Sequence, residues 1–183
     1  MFSTGARAGA WTYLDMTGIP IFVADLLHQP GARRHLQIET PLAGLENRAA
    51  RVEGPVAIDV VLERVSDGIV VHGTVAVHWE GACSRCLTPV AHDLEVGVRE
   101  LFEATPLEGD TYLLAGVESG SATVDLADPI RDAVLTELPA VPLCRDDCLG
   151  LCPECGADRN TTECDCETDE ADPRWAVLSQ LEL

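Results

Sequence analysis

Eight cysteines are the residues of this chain whose type and spacing could do chemistry, and they fall into two clusters. One is Cys83-x2-Cys86; the other runs Cys144-x3-Cys148-x3-Cys152-x2-Cys155-x8-Cys164-x-Cys166. Two thiolates two residues apart can reach one ion at about 2.3 Å, and a glycine after the pair permits the tight turn of a knuckle. Cys152-Pro153-Glu154-Cys155-Gly156 has that form. Cys152, Cys155, Cys164 and Cys166 are therefore expected to hold a structural metal, zinc, in a four-thiolate site. Cys148 competes with Cys166 for the fourth position, because ligands separated by one residue are a tight fit. Cys83, Cys86, Cys144 and Cys148 are the right number for a second four-thiolate site joining the sheet to the tail. The alternative makes Cys83 and Cys86 buried or free thiols, or a reversible disulfide. Thioredoxin-like chemistry is disfavoured, since that motif sits between a strand and a helix, whereas this pair interrupts two strands.

Other chemistry finds little support. His28, His35, His72, His78 and His92 share no obvious site, and His92 reads as a strand-face histidine. A site made only of cysteine ligands leaves no open position for the water that catalytic zinc needs. There is no GxGxxG, phosphate-binding loop or nucleophile elbow. The expectation is a protein that is not an enzyme and has no small-molecule substrate.

These ligands need elements to position them. Ile19 to Leu27 reads as a strand followed by a helical turn, stopped by His28-Gln29-Pro30-Gly31. His35 to Glu39 alternates weakly and can pair with a sheet. The clearest feature is a hairpin. Val56, Ile58, Val60 and Leu62 alternate with Ala57, Asp59, Val61 and Glu63; Asp67-Gly68 makes the turn; Val71, Val75, Val77 and Trp79 return on one face. An Asp-Gly pair between alternating runs is among the strongest local hairpin signals. A further strand is expected over about Thr88–Leu101, with Val90, Leu94, Val96 and Val98 on its pleat. Asp128 as cap and Pro129 at the first helical position predict a helix, with Ile130, Ala133, Val134 and Leu138 as its apolar stripe. The fold class is thus α+β: an antiparallel strand-rich domain over 19–143 with one main packing helix. A disordered extension over 1–18 precedes it, and a cysteine-rich, zinc-ribbon-like tail with a short C-terminal helix covers 144–183.

Charge narrows the partners. Twelve basic residues, all arginine, stand against 31 acidic ones, a formal net charge of -19. Nucleic-acid binders gain affinity by neutralising phosphates, so this chain is repelled by RNA on average. Acidity favours solubility or a basic partner. It is concentrated: from Cys144 to Asp172 there are ten acidic residues against Arg145 and Arg159 alone. Direct RNA contact through Arg33, Arg34 or Arg85 is the rival reading. No apolar run is long enough to span a membrane, and the start, Met1 to Gly18, lacks the apolar region of a secretory signal. A cytoplasmic location is expected, and with it metal binding over a disulfide framework.

Read with their surroundings, these motifs resemble the YceD family, described as large ribosomal RNA subunit accumulation proteins. The likeness covers about residues 19–183. It rests on Glu80-Gly81-Ala82-Cys83-Ser84-Arg85-Cys86-Leu87 after a hairpin, on Glu100-Leu101-Phe102, and on Val124-Asp125-Leu126 leading into the helix ending Leu138-Pro139. It continues through Leu143-Cys144-Arg145-Asp146-Asp147-Cys148-Leu149-Gly150-Leu151-Cys152-Pro153-Glu154-Cys155-Gly156 and Asp172-Pro173-Arg174-Trp175-Ala176-Val177-Leu178. The resemblance implies a role in synthesis, processing or stability of large-subunit ribosomal RNA, and supports Cys83 and Cys86 as a functional pair. The reading is a non-enzymatic assembly factor with a basic ribosomal or assembly protein as partner and only indirect or weak RNA contact. An rRNA-processing enzyme, or a zinc-dependent binding module unrelated to ribosomes, are the alternatives.

Overall fold

A computed structural model describes residues 18–106 and 111–166. The expected extension over 1–18 (apart from Gly18) and the expected C-terminal helix lie outside the described residues. The elements are β1 (Pro20–Phe22), a 3-10 turn (Leu26–His28), β2 (Arg33–Thr40), β3 (Ala50–Arg64), β4 (Gly68–Ala82), β5 (Pro89–Glu103), β6 (Tyr112–Ala115), β7 (Thr123–Asp125) and α1 (Ala127–Glu137). This is a strand-rich α+β fold with one α-helix among the described residues. The seven strands form one sheet in the order β1-β7-β6-β5-β4-β3-β2. Pairing is antiparallel for β1 with β7, β2 with β3 and β6 with β7. The exception is β5 with β6, which run parallel through Phe102 opposite Tyr112.

The hairpin forms where the period-2 pattern places it. The turn closes with Val65 N–H on Gly68 O at 3.0 Å. Val56, Ile58, Val60 and Leu62 of β3 and Ile69, Val71, Val75, Val77 and Trp79 of β4 are all buried. Each such Val, Leu or Ile stabilises the fold by about 1.5–3 kcal/mol relative to exposure. The opposite parity faces solvent, and its histidines find carboxylates: His35 with Asp59, and His78 Nδ1 with Asp93 at 2.8 Å. His92 is exposed on β5 with its ring 5.6 Å from that of Trp79.

The helix lies where the stripe Ile130, Ala133, Val134 and Leu138 put it, with Ile130, Val134 and Leu138 buried. Its cap differs from expectation. Asp125, not Asp128, accepts the N–H groups of Ala127 at 2.9 Å and Ile19 at 2.7 Å, tying the helix start to the strand at the sheet edge. Asp128 instead pairs with Arg131 one turn on, at 2.5 Å. Pro129 stands third in the helix, so the free amide needing a cap lies upstream of the Asp-Pro pair. At the other end the Asn47 side-chain amide donates to Leu138 O and Pro139 O.

The chain divides into two compact units, each discontinuous: 1–80 with 91–140, and 81–90 with 141–183. The first holds the sheet strands' main body and α1. The second gathers the Cys83–Cys86 turn with the C-terminal cysteines.

Candidate metal centre

In the second unit the burial pattern is unusual. Its buried apolar side chains, among the described residues, are Cys83, Cys86, Val90, Pro142, Cys148 and Cys152, so thiols make up most of the interior. None of them belongs to the main hydrophobic core. With so little hydrocarbon buried among its described residues, the unit has room for another source of cohesion.

Two four-cysteine clusters supply the candidate source. The sulfurs of Cys83, Cys86, Cys144 and Cys148 lie within 4.8 Å of one another, and so do those of Cys152, Cys155, Cys164 and Cys166. All eight are free thiols. Cys83 Sγ is 3.8 Å from Cys148 Sγ, and Cys86 Sγ is 3.6 Å from Cys144 Sγ. Four sulfurs around one ion at tetrahedral bond lengths stand about 3.8 Å apart, so the donors fit that geometry. A disulfide would need about 2 Å. Cys148 thus sits with the first set and Cys166 with the second, an allocation that spacing alone left open.

Each set is built on the same knuckle. Cys83 Sγ accepts the backbone N–H groups of Cys144, Cys86 and Arg85, which pull its thiol down to about 6. Cys152 Sγ accepts those of Cys155 and Glu154, with the same result, about 6. Backbone donors aimed at sulfur favour thiolate, the form that ligates metal. The Thr88 hydroxyl, 3.3 Å from Cys86 Sγ, lowers that thiol too. Burial first, then the neighbouring Cys86 sulfur, pushes Cys144 up to about 12. Contact with Cys155 and Cys152, with burial, does the same to Cys166, at about 12. Metal-free, such a set resists holding four negative charges; a divalent cation at its centre removes the conflict.

Both knuckles end in a left-handed residue. In the second it is Gly156 at φ +73°, and in the first it is Leu87 at φ 62°, which is also exposed. The segment linking the sets turns at Gly150, φ +73°, whose missing side chain lets it approach Arg85 O; Leu151 N–H then bonds that carbonyl at 3.0 Å. The Arg85 guanidinium donates to Cys148 O at 2.9 Å and Asp146 O at 3.2 Å. Arg85, also the candidate of the rival RNA-contact reading, thus braces the loop carrying a candidate ligand. Asn160, whose side-chain nitrogen lies 3.4 Å from Cys148 Sγ, carries no sequence signal that would mark it.

Among the described residues, no other group of three or more His, Cys, Asp or Glu side chains gathers its donor atoms closely enough to hold a metal ion. A cavity of about 460 Å³ on the solvent face of the sheet is walled by Glu39, Asp59 and Glu95, with Ala57 and Ala76 between them and no basic side chain. No described helix is long and apolar enough to cross a membrane.

Fold and donor sets together define a strand-rich α+β protein with two cysteine-lined sites that could each bind a metal ion. The chain belongs to the YceD family: the model described as "Large ribosomal RNA subunit accumulation protein YceD" matches residues 71–182, which contain all eight cysteines. An uncharacterized protein of Mycobacterium tuberculosis is 39% identical over 165 residues, covering 87% of this chain and 79% of the relative. One from Mycobacterium leprae is 37% identical over 166 residues, covering 87% and 75%. The chloroplastic large ribosomal RNA subunit accumulation protein YCED homolog 1 of Arabidopsis thaliana is 36% identical over 58 residues, 32% of this chain and 18% of the relative. No solved structure matches the chain. The family's name supports a role in ribosome biogenesis and describes an accumulation factor rather than an enzyme.

Proposed function

We propose that this chain is a non-catalytic ribosome-biogenesis factor that supports large-subunit ribosomal RNA through a basic protein partner, with zinc as the structural ion of both cysteine sets. The observation that carries the reading is two all-sulfur donor sets in a unit whose described residues bury little else. Four thiolates suit zinc and fill its coordination, which favours a structural over a hydrolytic ion. Zinc, when bound, supplies the charge that lets these thiolates share one centre.

Charge supports the partner class. Each four-thiolate zinc site changes the formal charge by about -2, so two bring -19 to about -23. Such a surface attracts an arginine- and lysine-rich protein in a fast, salt-sensitive association and repels naked RNA. The contact face proposed is Cys144 to Asp172, of which 167–172 lie outside the described residues. The acidic walls of the sheet cavity agree in sign.

The test replaces Asp165, Glu167, Asp169 and Glu170 together by their amides. Capture from lysate at low and high salt is expected to lose a basic large-subunit or assembly protein, and cells to lose large-subunit RNA, while zinc content stays unchanged. Tight binding of the purified chain to large-subunit RNA at physiological salt, indifferent to these substitutions, would overturn the reading.

A further inference from the structure

We infer that Asn160 makes the two cysteine sets cooperative, so that filling one raises the metal affinity of the other. Asn160 lies between Cys155 and Cys164, in the loop that the second set closes. Its side-chain nitrogen nevertheless stands 3.4 Å from Cys148 Sγ, a sulfur of the first set.

The orientation of this amide is fixed by its neighbours. Its oxygen accepts from Leu149 N–H at 2.9 Å and from the Arg145 guanidinium at 2.6 Å, and both of those groups can only donate. The NH2 must then face the sulfur and Asp158 Oδ1, 2.6 Å away. Asp158 Oδ1 also accepts Asn160 N–H at 2.9 Å, which sets the backbone turn presenting the amide.

Backbone bonds run the same way. Arg159 N–H donates to Gly150 O at 3.0 Å, and Leu151 pairs with Asp158 as an isolated bridge. The segment 148–152, which carries one ligand of each set at its ends, is thus held on one side by Arg85 O and on the other by the loop 158–160. Closing the second set orders that loop and aims an N–H at the Cys148 sulfur. Filling the first set fixes the Cys148 sulfur as a metal-bound acceptor for that N–H, which strengthens the bond and holds the loop. The coupling is reciprocal, as binding linkage requires, and a hydrogen bond to a charged acceptor corresponds to a change of about tenfold in affinity.

The inference rests on the metal reading above, and the experiment separates the two. Metal-free full-length chain is mixed with one equivalent of zinc per chain, and species with none, one and two zinc ions are counted by native mass spectrometry. Independent equal sites place about half of the molecules in the one-zinc form. Unequal affinities raise that fraction and coupling lowers it, so wild type is expected to hold clearly less of the one-zinc form than a variant without the coupling. Asn160→Asp keeps the acceptor for Leu149 and Arg145 but turns an oxygen on the sulfur; its one-zinc form should rise. Cys155→Ser, which disables the second set, should lower the affinity of the first about tenfold in chelator competition. A one-zinc fraction in wild type no lower than in Asn160→Asp, or full first-set affinity in Cys155→Ser, overturns the coupling. A chain that binds no zinc overturns the metal reading itself.

Discussion

Three left-handed residues frame the cysteine sets and allow a graded test of how backbone geometry becomes metal affinity. Gly150 and Gly156 share φ +73°. An alanine Cβ at Gly150 would stand 3.0 Å from Arg85 O and 3.3 Å from Arg85 Cβ, whereas at Gly156 it would meet nothing within 4 Å. The left-handed conformation costs an L-residue about 1–2 kcal/mol, partly offset by the lower unfolded-state entropy of alanine. Gly156→Ala should therefore cost about 1 kcal/mol. Gly150→Ala adds the crowded carbonyl and weakens the Leu151 N–H bond to it, for a total of about 2 kcal/mol. Where folding of the unit is linked to metal binding, that loss would appear as zinc affinity, about thirtyfold for Gly150→Ala against about fivefold for Gly156→Ala. Leu87, at φ 62°, already bears the strain; Leu87→Gly relieves it and should leave stability unchanged or raise it by less than about 1 kcal/mol. Chelator competition on the three purified variants reads all of these. Equal losses at Gly150 and Gly156 would refute the argument, because only the contact with Arg85 distinguishes them.

Acid should strip the metal, and the direction follows from the thiols. Cys83 and Cys152, held at about 6, contribute stability as thiolates above their ordinary thiol range and lose it as pH falls through 6. Cys144 and Cys166, at about 12, remain protonated at neutral pH in the metal-free chain, so zinc uptake should release protons from both, measurable with a pH indicator. Zinc retention that does not weaken between pH 7 and about pH 5 would contradict this linkage. Asp125→Ala removes the acceptor shared by Ile19 and Ala127; it should lower the denaturant stability of the sheet unit by about 1–2 kcal/mol, with zinc content unchanged.

What could be read beforehand was what repeats locally. The hairpin announced itself through period-2 alternation around Asp67-Gly68, and α1 through its 3.6-residue stripe. Strands β6 and β7, four and three residues long, are too short to carry a period and were missed. The helix cap was misplaced because two aspartates flank the start three residues apart, and only the partner Ile19, over a hundred residues away, selects Asp125. The knuckle form of Cys152–Gly156 was legible, since its ligands and turn are contiguous. The division of eight thiols into two sets was not settled by spacing. The turn at Gly150 sends Cys148 to one set and Cys152 to the other, and hydrogen bonds to Arg85 and Asn160 hold it there.

Chain order gives the two sets different debts to the rest of the fold. The second is local: Cys152 to Cys166 span fifteen residues. The first joins Cys83 to Cys148 across 65 positions and Cys86 to Cys144 across 58, with β5 and α1 in between. Closing a flexible loop of about 60 residues costs roughly 1.5 kcal/mol more than closing one of about 10. With the sheet unit folded, the intervening chain is already ordered and that cost does not fall on the metal; with it unfolded, it does. Zinc in the first set would therefore be linked directly to the folding of the sheet, and zinc in the second only through its coupling to the first. In rising urea, one equivalent should become available to a colorimetric chelator together with the loss of β-sheet circular dichroism, and the other only at higher denaturant. Loss of the coupling through Asn160 weakens the remaining set without abolishing it. Cys155→Ser should retain the sheet-linked release alone, and Cys83→Ser the later one. Release of both equivalents ahead of any change in the sheet signal would show that the first set owes nothing to the strands that present it.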